Sequence, residues 1–171
     1  MGFAVADRVR ATVLRDSITL VRHTPVASAF QTDAYSDVSG LAVQVLANSV
    51  YALDGDLVWQ SATAADIQFS LMAPTGAIGH WACMGPTQTG GAVGDIEPFR
   101  NEGINEARDS DFWRQGQAGA GTTTPICAPL RGQVDTGPND GAIQVRFAQI
   151  NITASQTVVL AGSWLRATKI G

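Results

Sequence analysis

With 171 residues the chain is long enough for one domain with a substantial core and too short for two comfortable ones. Only 15% of its residues are charged against 45% hydrophobic, where roughly 25% charged is ordinary. Such a chain stays soluble through Ser, Thr, Asn and Gln, or by burying surface in an assembly, which suits an extracellular or virion protein better than a metabolic enzyme. The net charge of −4 argues against a nucleic-acid partner, and no apolar run approaches the ~20 residues that cross a bilayer.

The charge is unevenly placed. Residues 1–22 hold Arg8, Arg10, Arg15 and Arg22 against Asp7 and Asp16, a surplus of two positive charges, so the remainder carries −6. Residues 1–16 alternate loosely and read as an edge strand or a basic arm that docks onto an acidic partner. Phe3, Val5, Arg8 and Arg10 are its candidate contact residues. The opening MGFAVADRVR lacks the apolar stretch of a signal peptide, and Ala6 stands where N-myristoylation needs Ser or Thr.

From residue 17 onward the pattern is that of short strands. Ser17 to Arg22 is one, and residues 24–39 read as a polar loop or irregular edge. Leu41, Val43 and Val45 alternate with Ala42 and Gln44. Val50 to Gln60 reads as one long strand with a bulge or bend at Asp54-Gly55-Asp56. Ile67, Phe69 and Leu71 share a buried face, Pro74-Thr75-Gly76 turns the chain, and Ile78 to Met84 returns in the manner of a hairpin.

Residues 87–122 change character and read as a long loop excursion from the 17–171 sandwich domain, with one short helix around Asn105 to Trp113. An excursion of this length is usually functional or a contact element. Phe99, Arg100, Phe112, Trp113 and Arg114 combine aromatic and guanidinium groups, the composition of a recognition surface. The bland alternative is a small satellite core that pins the loop. Ile126 to Val134 resumes strand alternation, and Asp135 to Gly141 is a turn cluster. Gly141 to Ile170 then reads as two antiparallel strands, with Ile143, Val145, Phe147 and Trp164 sealing the core and Arg146 and Arg166 facing outward.

Groups that carry chemistry do not converge. The run Gly116-Gln117-Ala118-Gly119-Ala120-Gly121 lacks the spacing and the following helix of a dinucleotide fingerprint and reads as flexible loop. His80 and Cys83, three apart on a strand, point to opposite faces and cannot easily chelate together. Cys83 and Cys127 are too few for a disulfide framework and read as buried free thiols. Asp54 and Asp56 read first as turn residues, and Asp109 and Asp111 as solvated charge. His80 reads as a partly buried strand residue, and Trp59, Trp81 and Trp164 as core or interface. No catalytic residue, cofactor or metal is expected. Short strands at ~8–12-residue spacing define an all-β antiparallel sandwich or jelly roll.

Four stretches in order carry a resemblance: YALDGDLVWQSATAADIQFSL, APTGA followed by Trp81, LRGQVDTGPNDGAIQVRFAQ, and LAGSWLRATKI. Over roughly residues 40–170, with 87–122 departing from it, the chain resembles the small β-sandwich virion proteins of tailed bacteriophages, particularly those of actinobacteria. A strand ending in Ala-Gln, a Ser/Thr/Asn-rich connector and an AGSWLR-like finish are familiar there. The resemblance implies a homo-oligomer, with a trimer favoured, made in the bacterial cytoplasm and carried in the virion as a capsid decoration or minor capsid protein. Its partner would be the major capsid protein or another virion protein. The rival is a tail-associated adhesin touching a host surface glycan, and a carbohydrate-active enzyme on the same sandwich is more remote.

Overall fold

A computed structural model describes residues 18–22, 28–30, 33–86, 102–103 and 112–171. Among these there is no helix; the chain is an antiparallel β-sandwich of two packed sheets. Its central eight strands are β3 (Ser36–Val45), β4 (Val50–Ser61), β5 (Ile67–Met72), β6 (Ile78–Cys83), β7 (Glu102–Gly103), β8 (Phe112–Gln117), β9 (Gly121–Asp135) and β10 (Gly141–Ala148). They pair from the outside in: β3 with β10, β4 with β9, β5 with β8, and β6 with β7. Folded over, this nested ladder gives one sheet in the order β3-β10-β5-β8 and another containing β4-β9-β6-β7. That is a jelly roll.

The nesting changes how the turns read. Pro74-Thr75-Gly76 does turn the chain, with the Ala77 N–H donating to the Pro74 carbonyl at 3.0 Å and Gly76 at φ 84°. The strands it joins nevertheless belong to opposite sheets, so it is an arch across the sandwich and not a hairpin. Asp135 to Gly141 likewise carries the chain from one sheet to the other. The closing strands also separate: β10 lies in the four-stranded sheet, and β12 (Trp164–Lys169) in the larger one. Apolar alternation shows which face a strand buries; which sheet it joins depends on pairing over long separations.

Between the sheets lies one core, with Leu41, Val43, Leu57, Trp59, Ile67, Phe69, Ile143, Val145, Phe147 and Leu165 fully buried. Trp59 of β4 meets Phe69 of β5 edge to face, ring centres 5.3 Å apart and planes at 75°. Such a pair adds ~0.5–1.5 kcal/mol beyond its buried area. Trp81 is core as expected, but Trp164 is half-buried on the outer face while Leu165 and Ala167 turn inward. Strand parity required this, because Trp164 shares its face with Arg166.

Four further strands extend the larger sheet beyond β4. These are β1 (Ile18–Arg22), β2 (Ser28–Phe30), β11 (Thr157–Val159) and β12. Strand β4 is flanked by β9 along one edge and by β12 and then β11 along the other. At the handover Ser163 fills the gap: its Oγ accepts the Val58 N–H at 2.9 Å and lies 3.0 Å from the Leu160 carbonyl. Gly162 before it takes φ 99°, a conformation that favours glycine. The Ala-Gly-Ser-Trp-Leu-Arg run is thus a strand-exchange device with a buried serine at its centre.

Other expectations need correction. Gly55 marks no bulge, since β4 stays in register with both neighbours through Asp54, Gly55 and Asp56. A Cβ there would stand 2.3 Å from the Trp164 carbonyl oxygen, so glycine permits a close strand approach. Asp54 and Asp56 are therefore strand residues and not turn residues. Residues 24–39 include β2 and the start of β3. Phe112 and Trp113, expected to end a helix, lie in β8, paired with β5, so residues 112–117 belong to the sandwich; residues 105–111 lie outside those described. The glycine-rich connector is packed and not loose: the Asp66 carboxylate accepts the Gly119 N–H at 2.8 Å, and the Pro86 carbonyl accepts that of Ala118 at 2.9 Å.

Candidate functional site

Of the residues expected to bind partners, Phe3, Val5, Arg8, Arg10, Phe99 and Arg100 lie outside the described residues, as do Asp109 and Asp111. Phe112, Trp113 and Arg114 occupy β8, the edge strand of the four-stranded sheet. The described residues concentrate polar chemistry somewhere else, on the outer face of the larger sheet.

Register builds that face. Residues directly opposite on antiparallel strands share a side, strands stand ~4.8 Å apart, and same-side residues recur every ~6.8 Å along a strand. One cross-strand row runs Leu20–Arg166–Asp54–Arg131–Ala82, from β1 through β12, β4 and β9 to β6. The next runs Ile18–Thr168–Ala52–Gln133–His80, and on the other side lies Arg22–Trp164–Asp56–Pro129. Large groups thus flank the small Ala52 and Ala82, leaving an open depression of ≈ 450 Å³.

Asp54 organises its rim. Arg166 donates to it from Nε at 3.0 Å and sets Nη2 2.9 Å from its other oxygen, a bidentate fork, while Arg131 Nη1 stands 4.0 Å away on the opposite side. The arginine side chains are 45% and 55% exposed, and Asp54 is 17% exposed. At that exposure each pair contributes no more than about 1 kcal/mol to folding. Their consequence is positional: the shared carboxylate fixes two guanidinium groups on either side of β4. The Trp164 indole N–H donates to Asp56 at 2.8 Å, and the Arg166 guanidinium lies 5.9 Å from the Trp164 ring centre. Among the described lining residues, two arginines against one carboxylate leave the depression one positive charge in surplus, on a chain whose net charge is −4.

Strand geometry also settles the cysteines and histidine. Cys83 is buried on the core side, whereas Cys127 is exposed on the outer face, because it alternates with the buried Ala128. Both thiols are held above the ordinary thiol range, mainly by burial. The Asp56 carboxylate adds to this in both, and for Cys83 Cys127 also contributes. His80 is exposed, not partly buried, and faces away from Cys83. Among the described residues no three His, Cys, Asp or Glu side chains stand close enough to hold a metal ion. No helix among them is long and apolar enough to cross a membrane.

The fold and this surface define an all-β jelly-roll sandwich with an arginine-rimmed outer face. No protein-family model and no curated protein matches the chain. Solved structures similar to it include the VP2 protein of infectious bursal disease virus in its subviral particle, at TM-score 0.25 and 10% identity, over 90% of this chain and 37% of that one. A chain of the same virus's T13 viral particle gives TM-score 0.24 and 11% identity, over 90% of this chain and 35% of that one. Particles derived from that virus give TM-score 0.22 and 12% identity, over 90% and 36%. The chain spans little more than a third of the length of the viral-particle chains it matches.

Proposed function

We propose that the chain is a structural component of a tailed-phage virion, a capsid decoration or minor capsid protein that docks through its basic N-terminal segment. The observation that supports this best is the nested pairing of β3 through β10, because a jelly roll is an architecture used for capsid and lectin domains. Composition points the same way: 15% charged residues suit a subunit that shares its surface with copies of itself or with a shell. In this reading the protein is not an enzyme, self-associates as a trimer and resides in the virion. Quantitative mass spectrometry of purified particles tests it. Hundreds of copies per particle, recovered with DNA-filled heads, are expected. A handful of copies would replace decoration with a tail-associated role, and absence from particles would end the virion reading.

A further inference from the structure

We infer that the depression on the outer face is a binding site for the carboxylate of an acidic saccharide. The site is built from four strands, β4, β6, β9 and β12, that sequence separates widely: Arg166 and Asp54 are 112 positions apart, yet they form a bidentate pair. Asp54 engages Arg166 through Nε and Nη2, and Arg131 spends Nη1 on the Leu130 carbonyl at 3.0 Å. A guanidinium has five N–H donors, so both arginines keep donors for a ligand. Planar guanidinium forks match carboxylate geometry, and two of them straddle β4 around one Asp54 oxygen, with Arg166 Nη2 at 2.9 Å and Arg131 Nη1 at 4.0 Å from it.

Around the pair, Gln133 and His80 supply further hydrogen-bonding groups, and Ala52 and Ala82 form a floor on which a ring can lie. A volume of ≈ 450 Å³ lies within the range of small-ligand sites. The lining favours a saccharide over a protein surface. Polar groups converge, and among the described lining residues the one aromatic side chain, Trp81, is buried, so no aromatic anchor stands at the centre of the depression. The surplus positive charge selects an acidic sugar over a neutral one. This inference stands independently of the virion reading, because it concerns what the face binds and not where the protein resides.

The test is titration of the full chain with trigalacturonic acid, the matched neutral trisaccharide and a triglutamate peptide, followed by isothermal calorimetry and by chemical-shift changes at Gln133 and His80. Binding of the acidic sugar at least tenfold tighter than the neutral one is expected. Arg131→Ala should weaken it at least tenfold with an unchanged melting temperature, since the Arg166–Asp54 pair remains. Arg131→Lys should recover only part of the loss, as an ammonium lacks the planar fork. Equal affinity for neutral and acidic sugars, no binding at millimolar concentration, or an unaffected Arg131→Ala variant would overturn the proposal. Tighter binding of the triglutamate peptide would overturn it too, and would make the face a protein-docking surface. None of these outcomes depends on the copy number in particles, so the two proposals fail separately.

Discussion

At the scale of single residues, small polar groups hold the sandwich where its ladders stop. Thr136 is buried at one end of the molecule, where its Oγ1 accepts the Ser49 N–H at 3.1 Å and donates toward the Leu46 carbonyl at 2.7 Å. Thr136→Val keeps the shape and removes both bonds, leaving a buried donor unpaired. A loss of ~1–3 kcal/mol is expected in urea unfolding, and an unchanged midpoint would contradict this role. The thiols give a second prediction. The folded chain should expose one group, Cys127, to a thiol reagent, and Cys83 should react only after unfolding. Because the raised Cys127 pKa keeps its thiolate scarce near neutrality, labelling should be slow and should accelerate with pH. Asp56→Asn should speed it by removing a like charge. The linkage has a definite sign: raised folded-state values favour the neutral thiols, so this stability is fully present below the ordinary thiol pKa of ~8.5 and is lost as pH rises above it.

At the scale of elements, strand β4 is the axis of the larger sheet, bordered by β9, β12 and β11. Gly55 lets β12 approach it, so Gly55→Ala forces a Cβ onto the Trp164 carbonyl and should cost well above the ~1 kcal/mol typical of a point substitution. A stability within error of the parent would refute that account of the glycine. Ser163→Ala should separately unpair the Val58 N–H between β11 and β12. Much of this element structure was legible in the chain. The alternation of Leu41-Val43-Val45, Ile67-Phe69-Leu71 and Ile143-Val145-Phe147 marks their buried faces, and Asp135 to Gly141 marks a turn. The arches were not legible, because Pro74-Thr75-Gly76 can close a hairpin or cross a sandwich with the same local chemistry. Parity also places Asp54, Arg131, Arg166 and His80 on outward positions of their strands. Only the register over 112 residues makes neighbours of Arg166 and Asp54, and no local pattern encodes that.

For the whole molecule, the proposed division of labour is a rigid jelly roll that presents one charged outer face while a basic segment makes the attachment. Deleting residues 1–16 should leave a folded domain, with the parent's β-sheet circular dichroism, that no longer binds particles lacking the protein. Undiminished binding would move the attachment to another surface. The most direct measurement is electron microscopy of purified virions labelled with an antibody against this chain. The decoration reading predicts label at many positions over the head shell. Label confined to the tail, or unlabelled particles, would contradict it.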